Sequence, residues 1–322
     1  MDAVRGTAIV LLLIWHASAV PELYGVDMPS GIRTVNEFFM PYRMPTLMLL
    51  SGILLARSLE KPLAKYYAGK FSMILWPYLV WVIIAKMTFL DIEGMPWWHW
   101  RAWYATSYLW FLFFIGVYYL IAPAFARLPS WLPAALAVII GVMLPAGTME
   151  QRMAYFAVFF FGGYWLAKFP DKLAAIINSR LVFLAGIPVA ALGLASCFWP
   201  EQLHFAVWTA PASVAGMLLL AALFSRLTSR GRGAPALQAF GRSSLIYYVS
   251  HFPLMALLSM SALAQLGAVP LAVLNLLAAL GLGWFLAWNK QRAPIRWLFE
   301  APRTVTRALE RSLNALFRQR VA

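Results

Sequence analysis

From one end of this chain to the other, apolar runs of about twenty residues alternate with short polar connections. A hydrocarbon core of roughly 30 Å takes about 20 helical residues to cross. Inside it, every backbone N–H and C=O must be satisfied by its own helix. The runs predict crossings at 4–22, 38–57, 71–90, 107–125, 131–147, 153–168, 181–199, 205–225, 243–262 and 269–288. The expected fold is therefore an all-α, polytopic membrane bundle of about ten helices over residues 1–288, with a basic tail over 289–322. Run 131–147 is short, and 205–225 is interrupted by Pro211 and Gly216. The residues are 62% hydrophobic and only 12% charged, too little charge to cover the surface of a soluble domain of this length.

Counting Lys and Arg on the two sides gives an orientation. With a cytoplasmic N-terminus, the inner loops hold Arg57, Lys61, Lys65 and Lys70, then Arg127, then Lys168, Lys172 and Arg180, then Arg226, Arg230, Arg232 and Arg242. The outer loops hold only Arg33, Arg101 and Arg152. Such an imbalance predicts both termini inside. It also accounts for the net charge of +14 without nucleic acid. The tail carries apolar Leu309, Leu313 and Leu316 among arginines, which suits either an amphipathic helix on the anionic inner leaflet or a solvated basic tail. The single cysteine, Cys197, allows no intramolecular disulfide.

Ionisable groups at membrane depth are expensive, so each is a candidate for function. Arg5 and His16 lie eleven positions apart on the first helix. That spacing puts them on one face, about 16 Å apart along the axis. A guanidinium at the entrance can grip phosphate or carboxylate, and an imidazole deeper in the groove can exchange protons. Equally, Arg5 could anchor the inner edge beside Asp2, and His16 could hydrogen-bond another helix. Arg43 stands between Pro41 and Pro45, fourteen residues before Arg57, hence about 21 Å above the inner edge. The prolines can open the helix onto a cavity; snorkelling towards Glu37 is the rival explanation. Ser51 and Gly52 suit close helix packing. His251 lies nine residues beyond Arg242, about 13 Å deep, with Tyr247 on its face; it is either a cavity residue or a histidine satisfied by a neighbouring helix. Lys86, His99 and His204 fall near outer helix ends and suit interfacial roles; Trp110 reads as part of an aromatic belt. No His has a second metal ligand at i, i+3 or i+4, so no metal site is expected.

The opening Met1-Asp2-Ala3-Val4-Arg5-Gly6, running to Trp15-His16-Ala17, resembles the membrane acyltransferase 3 family, whose signature is Arg, ten residues, His on the first helix. The likeness continues in Arg43-Met44-Pro45 with Ser51-Gly52, in Lys70 with Trp76-Pro77-Tyr78, at Trp110-Phe111 and in Tyr247 through His251. It departs at Thr46 through Leu50, where many relatives have a Phe-rich run. The resemblance implies an O-acyltransferase of the bacterial inner membrane, which moves an acetyl- or succinyl-like group from cytoplasmic acyl-CoA to a hydroxyl of a cell-surface glycan, glycolipid or exported glycoside. It needs no permanently bound cofactor. Carried over by position, His16 is the catalytic residue, Arg5 its partner at the donor entrance with Lys70, and Arg43 a member of the same cavity. Ser51, Tyr247, His251 and Trp110 are expected to line the substrate cavity. The residues alone would equally serve a transporter or flippase for a lipid-linked sugar.

Overall fold

The computed structural model describes residues 1–89 and 96–319, so Leu90 at the end of the third predicted crossing, the outer-loop acids Asp91 and Glu93, and Arg320 of the tail lie outside it. Among the described residues every regular element is a helix. In chain order these are α1 (Asp2–Leu23), α2 (Ser30–Leu59), α3 (Leu63–Thr88), α4 (Ser107–Phe125), α5 (Leu132–Met143) and α6 (Met149–Leu166). Then come α7 (Pro170–Asn178), α8 (Arg180–Phe198), α9 (Val207–Ser229), α10 (Pro235–Arg242), α11 (Ser244–Met260), α12 (Ala268–Asn289) and α13 (Arg303–Gln319).

A helix therefore occupies each predicted crossing, but not all have the same capacity to cross. By length and composition seven qualify among the described residues, or eight if α10 and α11, bent by 78°, form one span. With 12 residues, α5 is about 18 Å long, short of the hydrocarbon core. The first turn of α6 carries Glu150, Gln151 and Arg152, which lower its apolarity. Pro211 does not interrupt α9: after a 3-10 turn at Val207–Thr209 it lies in the first turn of the α-helical stretch Ala210–Ser229, where its missing N–H has no α-helical partner to lose. Nor do Pro41 and Pro45 open α2, which runs unbroken for 30 residues. They do remove the N–H groups that would bond the carbonyls of Glu37 and Pro41.

Lipid offers apolar side chains nearly the same environment as protein, so helix association rests on close packing and buried hydrogen bonds. One tight seam joins α2 to α6. A Cβ on Gly52 would stand 1.8 Å from the Phe160 carbonyl oxygen, and one on Gly163 would stand 2.1 Å from that of Leu49. Beside this seam, Tyr118 and Tyr119 of α4 meet Phe160, with ring centroids 5.2 and 5.0 Å away. Asn36 Nδ2 donates to Ser18 Oγ at 2.8 Å, tying α2 to α1, and Asn275 Nδ2 donates to Ser259 Oγ at 3.3 Å, tying α12 to α11.

The tail turns back onto the bundle. A π-helical turn at Phe71–Leu75 widens α3, and there the Ser72 carbonyl accepts the Ala301 N–H at 3.2 Å. Trp76 and Trp81 donate their indole N–H groups to the carbonyls of Trp297 and Leu298, at 2.7 and 2.9 Å. Within the basic tail α13 is a helix with Arg303, Arg307, Arg311 and Arg318 exposed. Its apolar side faces α3 rather than only the surroundings: Leu309, Leu313 and Phe317 enclose a groove of about 530 Å³ with Phe71 and Phe113, and Lys70 lies at its wall.

Valine at position 52 has no room beside Phe160 and should lower the melting temperature of the detergent-purified protein, with a loss of about 1–3 kcal/mol typical of overpacking. Gly162→Ala, where nothing lies within 4 Å of the new Cβ, should leave it unchanged or slightly higher. Equal melting of wild type and Gly52→Val would mean that the helices are not in backbone contact.

Candidate functional site

His16 and His251 meet in the middle of the bundle. α1 buries most of its length, and His16 is 7% exposed; α11 buries His251 completely. The two rings are hydrogen-bonded, His251 Nε2 to His16 Nδ1, at 3.0 Å. His251 Nδ1 lies 3.0 Å from the Tyr247 carbonyl oxygen, one helical turn back. A carbonyl can only accept, so that nitrogen carries hydrogen. In a neutral His251 ring, Nε2 is then an acceptor, and His16 Nδ1 must be the donor. The remaining nitrogen, His16 Nε2, is left with its lone pair free. One backbone carbonyl thus sets the tautomer of two imidazoles in series.

The aromatic surroundings hold this chain in place. Phe252 meets His16 edge-on with centroids 5.5 Å apart, and Tyr108 meets His251 edge-on at 5.6 Å. Tyr108 also stacks on Phe252 at 4.7 Å and donates its hydroxyl to the Val249 carbonyl at 2.7 Å. The Tyr248 hydroxyl returns the bond to the Tyr108 carbonyl. Just before Tyr108, Ala105 and Ser107 both take left-handed backbone (φ 45° and 46°). Such conformations are held only where surrounding structure imposes them.

Trp15 joins the histidine pair to a cavity. Its ring lies 4.2 Å from that of His16, and the Arg43 guanidinium sits over it at 4.7 Å. The cavity, of about 460 Å³, is lined by Trp15, Glu37, Arg43, Trp110, Arg152 and His204, among others. It lies at the end of the bundle opposite Arg57 and Lys70. Arg43 is 5% exposed, and its Nη1 is buried without a hydrogen-bond partner among the described residues. It points inward, so snorkelling does not explain it. Arg152 rests its guanidinium on Trp110 and Phe205, at 3.7 and 4.8 Å from the ring centroids, with Nε buried and unpartnered. Outside the helices, His204 stacks on Phe205 at 3.8 Å. Burial pushes its pKa down to about 4, and the positive charges of Arg152 and Arg43 add to the shift. Both guanidinium charges therefore act on one space.

The other expected site residues fall elsewhere. Ser51 lines neither cavity nor groove: its hydroxyl bonds back to the Leu47 carbonyl at 2.8 Å, and its carbonyl accepts Tyr119 OH at 2.9 Å. The Tyr247 ring packs on Phe240 at 4.8 Å, so this residue contributes its carbonyl, not its side chain. Arg5 stays at the basic end with Nη1 3.9 Å from Asp2 Oδ1. Lys70 donates to Ser58 Oγ at 3.0 Å and lies 3.5 Å over the Tyr119 ring. Lys86 sits 4.0 Å over Trp103, and His99 accepts the Arg101 N–H at 3.3 Å, as interfacial residues can. Arg152, counted in the sequence as an outer-loop cation, and His204, assigned to a helix end, belong instead to the cavity. For Arg152 a signal existed, a charge opening an otherwise aromatic helix; for His204 there was none.

Apolar helices and this all-helical bundle define an integral, multi-pass membrane protein. A family model described as an acyltransferase domain matches residues 1–288, and the chain belongs to that acyltransferase family. It is a membrane acyltransferase. No curated protein and no solved structure gives a match.

Nitrogen-15 NMR of the histidine-labelled protein should place the His16 proton on Nδ1 and leave Nε2 bare, with the signals assigned by His-to-Gln replacement. A proton on His16 Nε2 would contradict the hydrogen-bond chain.

Proposed function

We propose that the protein is an O-acyltransferase of a bacterial inner membrane, with both termini cytoplasmic. It takes an acetyl- or succinyl-like group from cytoplasmic acyl-CoA and places it on a hydroxyl of a cell-surface glycan, glycolipid or exported glycoside. The observation that carries this reading is the free Nε2 that the Tyr247–His251–His16 chain leaves on His16. His16 does not itself line the polar cavity but meets it through Trp15, and a buried imidazole of set tautomer there supports general-base catalysis on a hydroxyl.

On this reading Arg5 and Lys70, at the basic end, meet the phosphates of the donor. Arg5 lies about 16 Å along the axis from His16, a length that an extended pantetheine arm spans. At the reaction centre, His16 Nε2 takes the proton of the acceptor hydroxyl while its oxygen attacks the thioester carbonyl carbon. The Arg43 guanidinium stabilises the resulting oxyanion through its unpartnered Nη1. Collapse breaks the carbon–sulfur bond and expels CoA thiolate. The proton held on His16 neutralises that thiolate, leaving ester and free CoA. Trp15 acts as a wall that sets the distance between base and guanidinium.

His16→Ala should insert normally yet transfer no acyl group from radiolabelled acyl-CoA to envelope glycans. Arg43→Gln should lower turnover by roughly 10²–10³, as loss of an oxyanion donor does. Full activity of His16→Ala would overturn the mechanism. Saturable vesicle uptake of a glycoside by wild type, with no release of CoA, would replace the enzyme reading with a transporter.

A further inference from the structure

Arg152 has no role in the proton and oxyanion steps, yet its surroundings are built with care. Its guanidinium lies between two aromatic faces, Trp110 at 3.7 Å and Phe205 at 4.8 Å. Stacking of this kind uses the flat faces of the group and leaves the donors at its edge free. Among the described residues, no carboxylate lies within 4.0 Å of it, although Glu37 and Glu201 line the same cavity. Its Nε is buried without a partner, an expensive arrangement for a charged donor.

The loop that completes the stack is itself held under strain. Phe205 takes φ 60°, a left-handed conformation unfavourable for a bulky side chain. Gln151, the residue before Arg152, fixes it there by donating Nε2–H to the Phe205 carbonyl at 2.6 Å. Packing alone would not need an aromatic residue in that conformation. Here it keeps the guanidinium plane fixed while its edge remains available within the cavity.

A guanidinium held on two rings, half-buried in the cavity wall and with no protein acceptor among the described residues, fits an oxyanion, whose two oxygens match its forked donors. From this geometry we infer that Arg152 is the anion subsite of the acceptor. The acceptor carries a carboxylate or phosphate, such as a uronic acid or a phosphosugar, which Arg152 grips while the hydroxyl to be acylated is presented towards His16. Arg43, on the Trp15 side of the same cavity, remains for the reacting carbonyl. This inference rests on the acyltransferase reading for the word acceptor, but anion binding can be measured without any transfer.

The test uses the purified full chain in phosphatidylcholine nanodiscs, with calorimetric titration of glucuronate, glucose 1-phosphate and glucose. The two anionic sugars should bind saturably and weaken with salt, whereas glucose should not bind. Arg152→Gln should weaken the anionic sugars at least tenfold. Arg152→Lys, which keeps the charge over Trp110 but loses the fork, should fall between and serves if the Gln variant does not fold. Equal binding of glucose and glucuronate, or unchanged binding in both folded Arg152 variants, would overturn the inference. So would loss of sugar binding on adding phosphatidylglycerol, since a lipid phosphate would then own the site. CoA release with neutral sugars alone would leave the transferase standing and remove the anion subsite.

Discussion

A hydrogen bond between two buried imidazoles organises the centre of this protein. The 3.0 Å contact between His16 and His251 joins residues 235 positions apart in sequence. It has meaning only because His251 is itself anchored to the Tyr247 carbonyl. Any shift of α11 against α1 would change the donor, the acceptor or both. The structure spends many of its aromatic contacts on preventing that shift: Tyr108 reaches into α11 through Val249, Tyr248 and Phe252, and the left-handed turns before it set its approach.

From that centre the molecule divides into two ends of different character. The basic end offers Arg5 and Lys70, partly committed to Asp2 and Ser58, with an apolar groove covered by the C-terminal helix. The opposite end offers a polar cavity whose two guanidinium groups have no carboxylate partner among the described residues. A membrane enzyme joining a cytoplasmic donor to an acceptor from the other side would need such polarity, with its proton-handling group between the two. Trp15 stands at the junction, in contact with both His16 and Arg43.

The helical, multi-pass class was legible because twenty-residue apolar runs have few other folded forms. Depth was legible too: helical rise placed His16, Arg43 and His251 inside the bundle, where they are buried. Partners were not. Periodicity says which face a residue occupies, never which helix lies opposite, so the pairing of His16 with His251 had no local signal. Arg152 was hidden by the charge count, which treats any cation at a helix end as solvent-facing. Ser51 was misplaced because a serine that bonds back to its own helix reads the same in sequence as one that lines a cavity. The prolines of α2 suggested an opening, but a helix packed against α1 and α6 retains its course through both.

The most direct test of the histidine chain compares acyl transfer by His251→Gln and His251→Ala. A glutamine oxygen can still accept the His16 Nδ1 proton; alanine cannot. If His251 orients the base, the alanine variant loses roughly a hundredfold in turnover, within the range general-base catalysis supplies, and glutamine recovers most of it. Equal activity in the two variants, or wild-type activity in both, would mean that His16 works without the partner to which this structure binds it.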